Sequence, residues 1–360
     1  MYFSRQIKKL KIKLKKNKKS YQNIKKSPSR KKNIKKKKNK KMPDLKICIT
    51  GASGRISHAL IPLLLSPSTF KEDMKIELSL LDVDIEICVA GLKGLALELE
   101  DCNYTYLKKV TYSTDPNEAF KDCDLIIFLG GSPRLPGMQR SDLLKANGDI
   151  YKAQGTSLKN AKPNVKCLVI ANPCNTNCKI LYDYAKKVLP NIPKENFNCL
   201  TRLDQNRTEG LYKNLKGKEI NGVIIGNHSS TMVVDNVNNE VFDDEFIKKI
   251  QNRGTEILNV KKMSSTFSAA KAISDHVRDW FYGSEKLCSS GVIVEDNNLN
   301  IKKGLCVSFP VKFKGNWNFD IQFNVVEEFY KDQSKKEKLD KTFNELKEES
   351  EIFEKTQESK

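Results

Sequence analysis

From Leu45 onward the chain alternates short apolar runs with amphipathic stretches, and this alternation limits the possible folds more than any other feature. "KICIT" (46–50), "IELSLLD" (76–82), "KVTYS" (109–113), "DLIIFLG" (124–130), "VKCLVIA" (165–171) and "NCL" (198–200) read as strands. Helical spacing fills the gaps between them, over roughly 54–66, 91–102, 116–121, 141–162 and 175–187. Strands separated by helices need crossovers, which are right-handed and build a parallel sheet with helices on both faces. The longer strands are apolar almost throughout, as burial on both faces requires. After about residue 200 the rhythm changes to two long helical patterns (243–259 and 264–280) and three strand candidates (289–294, 305–313 and 316–323). A charged helix over about 326–355 closes the chain. The expected fold is α/β: a doubly wound parallel sheet over 42–200, followed by a mixed α/β domain over 201–360.

Charge marks off a third segment. The chain holds 64 Lys+Arg against 44 Asp+Glu, a formal +20 that on its own suggests a nucleic-acid partner. Residues 1–41 supply 18 Lys and 2 Arg with no acid, which leaves 44 charges of each sign in residues 42–360. The body is balanced, and the excess belongs to a low-complexity tail with too little apolar surface to offset its ordering entropy. The tail is therefore expected to be disordered. It lacks the apolar block of a secretory signal. Two readings of it stand side by side. Its end, "SRKKNIKKKKNKK", suits a nuclear or anionic-surface tether, while Met42 directly before "PDLKICIT" suits a start there instead. No run approaches the roughly 18 apolar residues of a membrane helix. The 10 cysteines follow no framework spacing and are expected to be reduced and buried. "CNTNC" (174–178) has no neighbouring His, so no metal site is expected.

"CITGASGRIS" (48–57) places Gly51 and Gly54 between the first strand and first helix. Glycines allow a sharp turn and close approach of the backbone to a pyrophosphate, and the helix N-terminus offers free N–H groups and a positive dipole end. Asp82, at the end of the second strand, stands where an acid binds the adenosine 2′-hydroxyl and repels a 2′-phosphate. This is a Rossmann dinucleotide site that favours NAD, with Ser57 in the third small position. "TGASG" and "YDYAK" (Tyr182, Lys186) also match a short-chain reductase, but the Ser that family needs upstream of the Tyr is missing from "CLVIANP". Tyr182 is instead expected to pack in the core.

"LDQNR" (203–207) sets Asp204 and Arg207 three apart at the start of a helical segment, the spacing of a surface ion pair worth about 0.2–0.5 kcal/mol. The chain has 3 His: His58 after the glycine turn, His276 in a helix, and His228 in "GNHSS" after the apolar strand "GVIIG". A strand end is where a reactive group enters a cleft. Around these residues the chain resembles the malate dehydrogenases of the lactate/malate dehydrogenase superfamily, of the cytosolic type, over nearly all of 44–320. The resemblance rests on "TGASGRI" (50–56), "LLDV" (80–83), "PRLPGMQRSDLLKAN" (133–147), "NPCNTNC" (172–178), "IPKENFNCLTRLDQNR" (192–207), "GNHSS" (226–230), "NRGTEIL" (252–258) and "SAAKAISDHVRDW" (268–280), in that order.

The resemblance implies reversible NAD-dependent oxidation of (S)-malate to oxaloacetate. His228 is then the acid/base, Asp204 holds its other ring nitrogen, and Arg207 grips the C1 carboxylate by a two-pronged fork. Asp204 and Arg207 then need not pair with each other. Arg134 reads the second carboxylate and Arg140 polarises the reacting carbonyl, with both on a stretch that would act as a lid. Lactate dehydrogenases resemble this layout but carry Gln in place of Arg134. Gly51, Ala52, Ser53, Gly54, Arg55, Ile56, Ser57, Asp82, Asn147, Gln154, Ile170, Ala171 and Asn172 match cofactor contacts, and Asn172 also faces substrate. A cytoplasmic homodimer is the implied assembly.

The chain departs from the family's pattern in four places. The segments between Arg207 and His228 and after "GNHSS" are short, "PRR" has become "PRL", and the last helix has diverged. Two rivals remain: the same fold acting on another 2-hydroxy acid, and a tethering protein whose tail is the functional part of a degenerate body. Removing residues 1–41 is expected to leave NADH affinity and oxaloacetate turnover unchanged at moderate salt. Any polycation effect on anionic ligands should fade as the screening length falls from about 30 Å at about 0.01 M to about 10 Å at about 0.1 M. Steady-state kinetics of 1–360 and 42–360 at both salts tests this. A truncated chain inactive at the higher salt would put the tail inside the fold.

Overall fold

The computed structural model describes residues 44–71, 74–132 and 140–358, without the side chains of Arg140 and Glu358. The tail, and with it both readings of its role, lies outside these residues. Six strands form the parallel half of the sheet: β1 (Leu45–Thr50), β2 (Ile76–Leu81), β3 (Leu107–Ser113), β4 (Leu125–Phe128), β5 (Lys166–Val169) and β6 (Phe197–Cys199). Their spatial order is β3-β2-β1-β4-β5-β6, so the strand order reverses between β1 and β4. Ligands bind outside the carboxyl ends of the strands at such a reversal. The intervening helices are α1 (Arg55–Leu64), α2 (Glu86–Asp101), the single turn α3 (Pro116–Ala119), α4 (Arg140–Ser157) and α5 (Cys174–Val188). Every residue of β4 and β5 is buried, which explains the unbroken apolar run of β4 and of Cys167–Val169 in β5.

The second half begins with α6 (Arg202–Lys216), the ribbon β7 (Gly222–Ile225) and β8 (Val233–Asn236), and the helices α7 (Asp244–Lys261) and α8 (Phe267–Tyr282). It continues through β9 (Cys288–Ile293), β10 (Cys306–Gly315), β11 (Asn318–Ile321), α9 (Phe323–Tyr330) and α10 (Gln333–Glu358). These strands do not form a separate sheet. β9 pairs antiparallel with β6, β10 with β9 and β11 with β10, which extends the first sheet to nine strands. β7 and β8 pair only with each other, and a bridge between Gly226 and Ser308 ties the end of β7 to β10.

Several boundaries differ from the sequence expectation for local reasons. α2 starts at Glu86 rather than 91, because the exposed Ile85 and Ile87 break the apolar periodicity that marks a core-facing helix. β8 gave no clear alternation, and its Asp235 and Asn236 obscure its two valines. The closing helix is two helices, with Lys331 and Asp332 between them. Asp332 caps the second by accepting from the Ser334 and Lys335 N–H groups. Tyr182 packs edge-on against Phe197 in the core, as expected.

Where β6, β9 and β10 adjoin, Gly291 of β9 lies between two cysteines. A Cβ there would fall 2.0 Å from Cys199 Sγ, and the Cys199 and Cys306 sulfurs meet 3.8 Å apart. Gly291→Ala is expected to cost about 1–3 kcal/mol by overpacking. Adding Cys199→Ala should recover most of the loss, because the sulfur is the clashing atom. Urea unfolding of the two variants tests this; a Gly291→Ala chain as stable as its parent would contradict the packing.

Candidate active site

The nucleotide end of the cleft is built from the turn after β1. Gly51 has φ +64°, and a Cβ on it would lie 2.8 Å from the Gly130 Cα, so the turn presses against the loop after β4. Gly54 caps α1 without a side-chain hydrogen bond, leaving first-turn N–H groups for an anion. Asp82 follows β2. One of its oxygens accepts from the Ser53 N–H (2.9 Å) and hydroxyl (2.5 Å), and the other from the Val83 N–H (2.9 Å). The acid is thereby fixed beside the glycine turn. Ala52 and Ser57 are buried, the Ser57 hydroxyl has no partner, and Arg55 is exposed. A bare helix N-terminus, a close-approach glycine and a fixed carboxylate fit a dinucleotide's pyrophosphate and ribose.

The other end holds the charged groups, around a cleft of about 580 Å³. Asp204, on the first turn of α6, has no exposure to solvent. Its Oδ2 bonds His228 Nδ1, and its Oδ1 accepts from Arg207 at 3.0 Å. The i, i+3 pair forms alongside the expected contact of Asp204 with the histidine. Asp204 uses one oxygen for each partner. Arg207 also donates to the Ser265 hydroxyl (3.2 Å), while its buried Nε has no partner. The His228 side chain keeps 16% of its surface exposed and lines the cleft with Ile56, Ile170, Ala171, Asn172 and Arg207.

Burial favours a neutral imidazole, but the Asp204 charge and hydrogen bond outweigh it and raise the His228 pKa above its ordinary value. Burial likewise pushes Asp204 up, and the imidazole and then the guanidinium overcome it and hold the carboxyl below its usual range. Asp204 thus adds stability above its unfolded-state pKa, which is lost as pH falls through its depressed value. His228 adds stability at low pH, which is lost as pH rises through its raised value.

Family comparison identifies this arrangement. Residues 45–197 match the lactate/malate dehydrogenase NAD binding domain, and 201–357 match the lactate/malate dehydrogenase alpha/beta C-terminal domain. The chain belongs to the lactate/malate dehydrogenase family. It is accordingly an NAD-dependent oxidoreductase. The cytoplasmic malate dehydrogenase of Bos taurus is 41% identical over 332 residues, covering 85% of this chain and 96% of that protein. The malate dehydrogenase of Naegleria fowleri aligns with TM-score 0.78 at 29% identity, over 87% of this chain and 98% of that one. A Trichomonas vaginalis lactate dehydrogenase in complex with NADH and oxamate aligns with TM-score 0.78 at 33% identity, over 88% of this chain and all of that one.

Other residues singled out in the sequence of this dehydrogenase are dispersed. Asn147 is buried, with its oxygen on the Ser132 N–H (2.6 Å) and its nitrogen on the Asn172 carbonyl (3.0 Å), so it braces two strand ends. Gln154 lies two turns further along α4, and its Oε1 is buried without a partner. Arg134 and the side chain of Arg140 lie outside the described residues. His276 is fully buried against Trp280 and Phe313, and burial lowers its pKa to about 3. His58 is exposed. Among the described residues, no group of three or more His, Cys, Asp or Glu is placed to hold a metal. All ten cysteines are free, and all but Cys88 and Cys102 are buried.

Sequence reading passed over two residues. The Asn175 side-chain oxygen accepts the His228 N–H at 2.9 Å, and Ser265 steadies Arg207. Asn175 stood inside a quoted stretch, but its spacing alone could not show that it reaches across to β7. In Asp204→Asn the charge that opposes burial is gone, so the His228 titration midpoint should fall below that of the parent. NMR titration of the 3 imidazoles measures this; an unmoved midpoint would mean that Asp204 does not govern the ring.

Proposed function

We propose that this chain interconverts (S)-malate and oxaloacetate, and the observation that carries the reading is the Asp204 carboxylate shared between His228 and Arg207 at the cleft. Malate oxidation removes a proton from the C2 hydroxyl and a hydride from C2. NAD, when bound, accepts the hydride at its nicotinamide. With His228 Nδ1 on Asp204, Nε2 is the nitrogen available to take the hydroxyl proton. The raised pKa helps the ring keep it as imidazolium until the reverse reaction returns it. Arg207 binds the C1 carboxylate by a paired, charge-assisted fork, and its unpartnered Nε–H is one prong left for that purpose. Asn172 faces the substrate. In this reading Arg140 polarises the C2 oxygen, and Arg134 pairs with the distal carboxylate and so selects a dicarboxylic acid.

The cofactor set extends from Gly51 to Ser57 and includes Asp82, Ile170, Ala171 and Asn172, with Asn147 and Gln154 supporting from α4. Asp82 sets the preference for NAD over NADP. Residues 42–200 form the nucleotide-binding part and 201–360 the substrate part. The relatives' names support a cytoplasmic location, and the exposed apolar residues Ile85, Ile87 and Leu97 on and beside α2 support a homodimer.

NADH oxidation with oxaloacetate against pyruvate tests the substrate class. Oxaloacetate should be strongly preferred, and Arg134→Gln should depress its use and raise pyruvate's relative rate. His228→Asn should abolish turnover while NADH still binds. Equal use of the two acids by the parent, or an active His228→Asn, would overturn the reading.

A further inference from the structure

The loop that carries His228 is held from the side opposite the cleft by the last helix, α10. Asn227 donates its backbone N–H to Thr342 Oγ1 at 2.8 Å. Its side-chain nitrogen bridges Glu345 Oε2 (3.0 Å) and Glu349 Oε1 (2.8 Å). Beyond His228, the Ser229 and Thr231 hydroxyls each reach Glu345 Oε2 at 2.5 Å, and Thr231 also meets Thr342 at 3.0 Å. Thr176 of α5 donates to Glu349. The residues on both sides of His228 are therefore tied to two carboxylates and one hydroxyl, at positions 342, 345 and 349, on one face of α10.

Packing does not account for these side chains. Leu339, Phe343, Leu346 and Phe353 give α10 an apolar buried face, and Thr342 (0% exposed) and Glu349 (2%) interrupt it opposite the His228 loop. A buried carboxylate is costly unless donors surround it, and a carboxylate only accepts. The loop supplies those donors, so each can point only toward α10. The loop also needs an external hold. It leaves β7 through Gly226, whose φ is +96° and whose missing Cβ would lie 2.1 Å from Thr342 Cγ2. Such a residue constrains the chain weakly by itself.

We infer that Glu345, Glu349 and Thr342 are positioning residues, which set the place of the His228 imidazole relative to Asp204 and the substrate through Asn227 and Ser229. The inference rests on the reading of His228 as the acid/base, but its central measurement does not depend on turnover. The charged and titratable groups that face the ring are Asp204, Arg207 and Cys199; α10 touches the loop and acts only through the ring's position.

The test compares full-length Glu349→Ala, Glu349→Gln and Thr342→Val with the parent, with rates expressed per site that binds NADH. Glu349→Ala should lower kcat roughly 10- to 100-fold, as a misplacement of about 1 Å does. KM for oxaloacetate and NADH affinity should stay within about twofold, because the part of α10 that packs on α4, Phe353 and Gln357, is unchanged in these variants. The His228 NMR midpoint should move toward that of Asp204→Asn. Glu349→Gln should restore most of kcat, since its amide oxygen can still accept from Asn227. If Glu349→Ala does not fold, Thr342→Val decides by the same readouts, because it keeps the side-chain shape and removes the hydroxyl that accepts the Asn227 N–H and meets Thr231. Parent-like kcat and an unmoved midpoint, even with lower thermal stability, would overturn the inference and leave α10 a purely structural element. An active His228→Asn beside a shifted midpoint would instead fault the acid/base reading and leave the positioning intact.

Discussion

A single carboxylate with no access to water organises the reactive end of this dehydrogenase. Asp204 can stay ionised at that depth only because both oxygens are matched by N–H donors, an imidazole from the end of β7 and a guanidinium from its own helix. Removing one donor would leave the desolvation of that charge only half offset. Asp204 thereby sets the tautomer and basicity of His228, and it also limits how far Arg207 can turn from the cleft. The surrounding elements serve this arrangement. β6 delivers the start of α6, the bridge to β10 fixes the end of β7, and Asn175 fixes the backbone at His228.

The nucleotide end follows a different logic. It depends on backbone more than on charge: Gly51 approaches Gly130 too closely for any side chain, and α1 presents uncapped N–H groups. Asp82, the charge proposed to discriminate NAD from NADP, is held in place by Ser53. In the proposed reading, affinity for a pyrophosphate and selection against a 2′-phosphate come from separate pieces of chain, the turn after β1 and the end of β2, so one can change without the other.

How much of this was legible in the sequence depended on the range of each interaction. The parallel strands could be read because burial on both faces leaves unbroken apolar runs, as in β4. The glycine turn could be read because only one residue type tolerates its geometry. His228, Asp204 and Arg207 were found through the order of several stretches, since nothing local to "LDQNR" tells a surface pair from a buried one. The pairing of β6 with β9 was not foreseen, because register between segments some ninety residues apart leaves no periodic trace. The role of α10 was hidden for a related reason: its acids sit in a helix crowded with charge, and only the fold distinguishes the buried Glu349 from its exposed neighbour Glu348.

The nine-stranded sheet has a bearing on how the molecule comes apart. The boundary between the two family matches falls at residues 198–200, within the end of β6, and Asn198 and Cys199 there pair with β9 on the far side of it. A plane drawn at that boundary would cut a backbone ladder and the packed layer around Cys199, Gly291 and Cys306 rather than a linker. The halves are therefore expected to melt as one cooperative unit.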